Sequence, residues 1–493
     1  MRRARQFICN AAILTGTSLL VRMVSVSFSV YVANQIGPEG MGVFQLITTV
    51  YMFATTLATS GIHLTTTRLI TEELALGNAH SAKSALNRCL FYSALCGGCA
   101  SLLLYHFAPY IAGVWLHERV SARPLYALCL SLPFLALSSV WVGYFTALRN
   151  AGKTASSQVW KQIIKVVVTV YLLRRWLPRG LDFACLALVL GDVLSECGTF
   201  CYLLLLYQLD RHRRVRAQSR AGLTRKMLGI SLPIALSSYV RSALVTLKQV
   251  LIPSGLEKSG LSYDESIAQY GLIGGMVMPV LMFPSVLLSA VSTLLIPEVS
   301  ERYVQHRNRQ IQHMLARIFK ITLLFSICVA GVLLAFAEPL SLWLYGSTQA
   351  AFYIRLLAPL VVIMYFDEIV DAILKGLNEQ VRVVGINILD TLVGICMIQT
   401  LLPAQGIQGY VLVIFVTETL NGLLSIRRLC HVTQFHIEFF WWIAIPSASI
   451  LLTSALIRLL GIGNLFVCIA GCVVGYIALL FACGALRKSD FQF

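Results

Sequence analysis

The chain has 493 residues, 57 % of them apolar and only 12 % charged, yet 39 Lys and Arg against 22 Asp and Glu leave it at +17. A soluble domain carries about 25 % charged residues, and a mean hydropathy of +0.77 means more apolar surface than a water-facing fold can hide. Composition therefore excludes an ordinary soluble enzyme, a disordered chain and a coiled coil, and puts most of the chain in lipid.

A membrane helix needs about 20 apolar residues. Runs of that kind lie at 10–34, 41–64, 87–113, 125–147, 158–177, 182–207, 228–253, 267–297, 316–343, 351–374, 381–402, 408–427, 438–460 and 464–485, which predicts an all-α polytopic membrane protein of about 14 transmembrane helices. The runs do not alternate in polarity as barrel strands would. Arginines precede the first run as in a signal peptide, but Arg22 interrupts it and no small-residue cleavage site follows, so it is expected to be an uncleaved span.

Basic residues in the loops set orientation. With Met1 inside, the inner segments hold 27 Lys and Arg and the outer loops 8, so both termini are expected in the cytoplasm. The 14 cysteines are scattered through apolar runs, where Cys acts as a small hydrophobe. Cys96 and Cys99 form a single CxxC inside one span, too few ligands for zinc. The nine histidines show no metal spacing, and His431 and His436 are expected to be solvated in an inner loop. No GxxxxGK[ST] occurs, so neither a cofactor nor an ATP site is expected. The basic excess is taken up by topology and does not call for nucleic acid.

The most basic loop, 208–226, divides the chain, and the two sides resemble each other. Ser18–Arg22 (SLLVR) matches Ser237–Arg241 (SSYVR) at an offset of 219; Gly42 matches Gly271, and Ala147–Asn150 matches Gly376–Glu379, both at 229. This predicts two pseudo-symmetric lobes of six helices, an N-lobe over 1–215 and a C-lobe over 227–435, with helices 13 and 14 and a short tail at 436–493. An even number of helices per repeat gives both the same topology, as in transporters that carry substrate between halves and rock.

Four cations lie within spans: Arg22, Lys165, Arg241 and Lys248. Each costs about 2.5–3.5 kcal/mol at the bilayer centre, so each should face protein or a wet cavity. Arg22 and Arg241 occupy matching repeat positions, and Lys248 lies two turns beyond Arg241 on one face. Such a set suits an anionic ligand, since the guanidinium fork fits phosphate. The alternative is structural pairing with carboxylates in the spans: Asp192, Glu196, Asp367, Glu368, Asp371, Asp390 and Glu418, of which Asp371 has Lys375 one turn on. Of these, Asp367, Asp371, Asp390, Glu418, Asp192 and Glu196 could instead bind H+ or Na+ and couple a gradient to motion. Pro133, Pro233, Pro279, Pro284, Pro359 and Pro446 are expected bend points in spans.

Three stretches, 143–166 (GYFTALRNAGKTASSQVWKQIIKV), 233–256 (PIALSSYVRSALVTLKQVLIPSGL) and 270–301 (YGLIGG to LLIPEVSE), resemble the stage V sporulation protein B and MurJ-like lipid II flippase family of the multidrug/oligosaccharidyl-lipid/polysaccharide (MOP) exporter superfamily. The resemblance implies 14 helices in two lobes, with the last two beside a lipid-tail groove. It implies flipping of an undecaprenyl-pyrophosphate-linked saccharide across the cytoplasmic membrane, in cell-wall, polysaccharide or spore synthesis. It also implies that Arg22 and Arg241 engage the pyrophosphate, with Arg68 a further basic position; Lys161 departs from the family pattern, in which Glu is common. A multidrug cation antiporter on the same fold would want carboxylates where Arg22 and Arg241 stand. A membrane-embedded polysaccharide transferase would want a larger loop or clustered acid and base groups. A non-transporting scaffold is a third alternative.

Overall fold

The computed structural model describes residues 2–59, 61–115, 121–210, 222–305, 308–433, 440–460 and 464–486. Most of the basic linker, the tail arginine and lysine and His436 lie outside the described residues, as do the side chains of Arg2, Arg3 and Arg5. Among the described residues there is no strand. The expected all-α architecture is what the chain adopts.

Helix α1 (Arg2–Thr59) covers the first two expected spans and breaks between them at Gly37, whose φ of 70° no ordinary helix contains, followed by Pro38. Beyond Gly61 (φ 67°) the chain turns into α2 (Ile62–Ala75). The second expected span ends at 64, and no membrane-length run is expected again before 87. Instead a separate helix forms, because Ile62, Leu69 and Ile70 recur at helical spacing and are buried. Then come α3 (Ala79–Val114), α4 (Arg123–Ala147), α5 (Ala151–Trp176), α6 (Leu181–Gln208) and α7 (Leu223–Glu257).

The eighth expected span is not one rod. It comprises α8 (Tyr263–Tyr270), a π-helical stretch over Gly271–Val277, α9 (Met278–Met282) and, after a 60° bend, α10 (Val286–Val304). Three glycines and Pro279 loosen the first part, and Pro284 sits in the bend. Next, α11 (Asn308–Tyr345) is followed by α12 (Gln349–Leu357) and α13 (Leu360–Gly376), separated at Ala358 and Pro359 where one span was expected. Helix α14 (Gln380–Thr433) joins the eleventh and twelfth spans across a break at Gly406 (φ 58°). A π turn, Phe440–Ala444, leads into α15 (Ile445–Leu459), and α16 (Leu465–Ala482) ends the described fold.

Among the described residues, nine helices are long and apolar enough to cross a membrane, or ten if the bent α8–α10 stretch counts. Of the nine, α1 and α14 each contain two of the expected spans. The two spans that fail the test are α5, which carries Lys161, Gln162 and Lys165 at its middle, and the broken α12–α13.

The chain packs as two compact units: Met1–Phe28 with Gln35–Val250, and Ser29–Asn34 with Leu251–Phe493. In the first, Ile62, Leu69, Leu86, Trp141, Phe145 and Leu203 form the core of α2, α3, α4 and α6, closed by Leu223 and Met227 of α7. In the second, Leu324, Ile327 and Cys328 of α11 pack with Ile450 of α15 and with Cys472 and Tyr476 of α16. The Tyr476 hydroxyl donates to the Leu324 carbonyl at 2.9 Å, so the last two helices are fastened to α11.

The repeat is written in the backbone. Among the described residues only two non-glycines have positive φ, Arg149 (57°) and Asn378 (64°), 229 positions apart. In the first unit Arg149 N donates to Thr146 O (2.9 Å) and Asn150 N to Phe145 O (3.0 Å); in the second Asn378 N donates to Lys375 O (3.3 Å) and Glu379 N to Leu374 O (2.9 Å). Every donor and acceptor pair recurs at that offset. A left-handed C′ residue satisfies the last carbonyls of a helix; here it stops α4 and α13 at equivalent places.

Candidate functional site

In the first unit a polar ladder runs down the seam between the antiparallel helices α5 and α6. Lys165 Nζ lies 2.5 Å from Asp192 Oδ1, and Lys161 Nζ 2.5 Å from Glu196 Oε1. Further along, the Tyr202 hydroxyl donates to Ser156 Oγ (3.0 Å), and Lys153 Nζ meets Asp210 Oδ2 at 3.3 Å. The spacing makes the ladder: Lys161 and Lys165 are i, i+4 on α5, as are Asp192 and Glu196 on α6, so each set shares a face. Gly191 makes the approach possible. A Cβ there would stand 1.9 Å from Thr169 Oγ1 and 3.3 Å from the Lys165 carbonyl, so only glycine lets the backbones meet beside Asp192. Three cations face three carboxylates, and Glu196 is buried; paired burial of this kind avoids an isolated charge in a low dielectric.

Arg68 is engaged as well. Its Nε lies 2.9 Å from Glu72 Oε1, while Lys226 Nζ of α7 holds Glu72 Oε2 at 2.6 Å. Arg22 is exposed on α1; on α7 Arg241 is exposed and Lys248 half-buried. Arg241 makes no ion pair among the described residues. Its neighbours fix it in place: the Tyr239 hydroxyl donates to the Leu57 carbonyl at 3.2 Å, and Ser242 Oγ to Thr56 Oγ1 at 3.2 Å. Of the predicted cations, the structure thus joins Lys165 and Arg68 to carboxylates. It sets Arg22, Arg241 and Lys248 on the two helices that carry the repeated S-x-x-V-R motif.

The second unit holds a cluster of carboxylates. On α13, Asp367 Oδ2 accepts from Asn421 Nδ2 of α14 at 2.8 Å. Asp367 Oδ1, Asn421 Oδ1 and Ser425 Oγ are buried, with the Ser425 hydroxyl beside the Asp367 carboxylate. Asp371, Asp390 and Lys375 are the charged neighbours of Asp367, and Lys375 Nζ lies 3.6 Å from Asp371 Oδ2, the i, i+4 pair expected from sequence. Glu418 is half-buried one turn before Asn421. Glu368 accepts a short hydrogen bond from Ser289 of α10. Glu379, just after the left-handed Asn378, is gripped by Arg428 through two bonds of 2.7 and 3.1 Å.

Sequence reasoning missed Asn421, Ser425 and Ser289, because uncharged polar residues are common in helices and carry no signal alone. It also missed that Lys161 and Lys165 meet Glu196 and Asp192. The signal was available: two i, i+4 pairs of opposite sign on consecutive antiparallel spans. Among the described residues no group of three or more His, Cys, Asp or Glu is placed to hold a metal ion, and Cys96 and Cys99 are free thiols.

A family described as polysaccharide biosynthesis protein matches residues 7–303, and the MatE family matches 259–399. Stage V sporulation protein B of Bacillus subtilis (strain 168) is 26 % identical over 440 residues, 88 % of this chain and 85 % of that protein. The lipid II flippase MurJ of the same organism is 20 % identical, over 84 % of this chain and 81 % of its own length. Among solved structures, an inward-facing multidrug resistance MATE family transporter of the MOP superfamily superposes with a TM-score of 0.64 at 14 % identity, covering 87 % of this chain and all of that one. A MOP superfamily transporter from Pyrococcus furiosus, described as having a binding pocket of reverse polarity, superposes with a TM-score of 0.60 at 15 % identity, covering 87 % of this chain and 96 % of that one. These likenesses establish the fold. With more than half its length matched by the first family, the chain belongs to the polysaccharide biosynthesis protein family of the MOP exporter superfamily.

Proposed function

We propose that this MOP transporter moves an undecaprenyl-pyrophosphate-linked saccharide, lipid II or a related precursor, from the inner to the outer leaflet of the cytoplasmic membrane. The observation that carries this reading is the sorting of charge. The in-span lysine of α5 is matched by a carboxylate, whereas Arg241 has no ion pair among the described residues. A cation kept in a membrane helix without such a pair is available to an anion. Arg22 stands at the matching repeat position. The guanidinium forks of Arg22 and Arg241, with Lys248 two turns along α7, bind the pyrophosphate; Lys165 and Arg68 reach it only by exchanging their carboxylates. The flippase and sporulation relatives support the substrate class.

The lipid tail stays in the bilayer while the charged head crosses by alternating access. With both termini in the cytoplasm, as the 27 to 8 distribution of basic residues indicates, an inside-negative potential favours export of the anion by about 2.3 kcal/mol per charge per 100 mV. Asp367, with Asn421, Ser425, Asp371 and Asp390, is the coupling group that takes H+ or Na+; Glu418 flanks it, and Asp192 and Glu196 are held by lysines. A multidrug antiporter fits less well, because the exposed cations on α1 and α7 would repel a cationic substrate. The test is reconstitution in vesicles with labelled lipid II and an external modifying enzyme. Protein-dependent exposure of the label is expected; none would rule out lipid II and leave other lipid-linked anions to be assayed the same way.

A further inference from the structure

The end of α5 that carries Arg174 and Arg175 bounds a shallow, open groove whose described lining lies on one face of that helix. Val166, Val167, Val170 and Tyr171 line it, and Arg174 and Arg175 stand at its rim. Val167, Val170, Tyr171 and Arg174 follow helical spacing on one face. At about 1.5 Å per residue, Val166 lies about 12 Å along the helix from Arg174. One leaflet of hydrocarbon is about 15 Å deep, half of a core of about 30 Å. The groove therefore has the depth of one leaflet, with its arginines at headgroup level.

A third arginine stands just beyond the helix. The turn Leu177–Arg179 follows α5, and the Arg179 guanidinium lies over the Phe183 ring at 5.9 Å. Arg175 donates to the Tyr171 hydroxyl at 3.4 Å, which holds it over the groove. None of the three forms an ion pair among the described residues. The acid nearest in sequence, Asp182, is occupied: it accepts from the backbone N–H and the hydroxyl of Ser121, both at 2.9 Å.

A helix C-terminus favours cations, and long side chains snorkel to the interface. Those effects make Arg174 and Arg175 tolerable. They do not call for a third arginine beyond the helix, or for an apolar groove beneath. Nor do they prefer Arg to Lys, whereas a phosphate does, because the planar fork offers paired donors. On the orientation proposed above, this end faces outward, where basic clusters run against the positive-inside rule.

We propose that the groove binds an anionic phospholipid, with its phosphate on Arg174, Arg175 and Arg179 and one acyl chain along Val166, Val167, Val170 and Tyr171. Only the assignment to the outer leaflet rests on the proposed function; the binding does not.

The test is native mass spectrometry of the full chain in detergent, titrated with phosphatidylglycerol or phosphatidylcholine. Retention of phosphatidylglycerol should exceed that of phosphatidylcholine by about tenfold, and the triple variant Arg174→Gln/Arg175→Gln/Arg179→Gln should erase the preference. A control with the same loss of charge at exposed sites elsewhere, Arg225→Gln/Arg382→Gln/Arg427→Gln, should keep it. The Arg-to-Lys triple, which keeps the charge and tests the site if the Gln triple does not fold, should lose at least half of the preference. An unchanged preference in either rim variant, an equal loss in the control, or displacement of phosphatidylglycerol by millimolar inorganic phosphate would overturn the proposal. None of these outcomes bears on the lipid II assay, so the two readings fail separately.

Discussion

Lys165 and Asp192 illustrate how one residue type serves two purposes in this chain. Lys165 is a charge inside a membrane helix, as Arg241 is, but a carboxylate 2.5 Å away answers it. Removing one partner leaves the other part-buried and unmatched, at a cost of about 1–3 kcal/mol. Lys165→Ala is therefore expected to lower the thermal midpoint in detergent, and Lys165→Ala/Asp192→Ala to recover most of the loss. A double variant destabilised by the sum of the two single losses would mean that the pair contributes nothing. Arg241→Ala should behave differently. With no ion pair to break, it should leave stability within about 0.5 kcal/mol of wild type, as for an ordinary surface change, while flipping falls by about tenfold or more.

At the scale of elements, the two left-handed residues make the repeat testable. Arg149 and Asn378 hold a conformation that costs an L-residue about 1–2 kcal/mol and glycine very little. Asn378→Gly should raise the thermal midpoint slightly, and Asn378→Val should lower it sharply; the reverse order would show that the turn after α13 is not under backbone strain. The α5–α6 seam gives a second test. Gly191→Val drives a side chain into Thr169 and the Lys165 carbonyl, so a loss of about 1–3 kcal/mol from overpacking is expected, measured by chemical or thermal unfolding.

Most spans were legible at this scale because lipid demands long apolar runs, and the breaks at Gly37, Pro359 and Gly406 fall at glycine or proline. The helix α2 was not legible, since its three buried apolar residues are interspersed with polar ones and no membrane-length run marks it. Nor was the bend near Pro284: a proline tells where a helix can bend, not that it does. The charge pairs of α5 and α6 depend on the register between two helices, which periodicity within either helix does not fix. For Asp367, the surrounding Asn421 and Ser425 come from the far half of α14, brought beside α13 by the break at Gly406.

For the whole molecule, the cations proposed for substrate and the carboxylates proposed for coupling fall in different units. The first holds every cation proposed for substrate, Arg22, Arg241 and Lys248 with the paired Lys165 and Arg68; the second holds Asp367, Asp371, Asp390 and Glu418. A net charge of +17 says little by itself, since most of it lies at helix ends and in loops. The proposed coupling predicts that Asp367→Asn keeps flipping driven by membrane potential but loses its response to an imposed H+ or Na+ gradient. An unaltered response to both gradients would remove Asp367 from that role. The most direct measurement of the central claim is lipid II flipping in proteoliposomes by wild type, by Arg22→Ala/Arg241→Ala and by Lys165→Ala/Asp192→Ala, at equal protein incorporation. The account predicts loss of transport in the arginine double variant and its retention in the ladder double variant; full transport by the arginine double variant would contradict it.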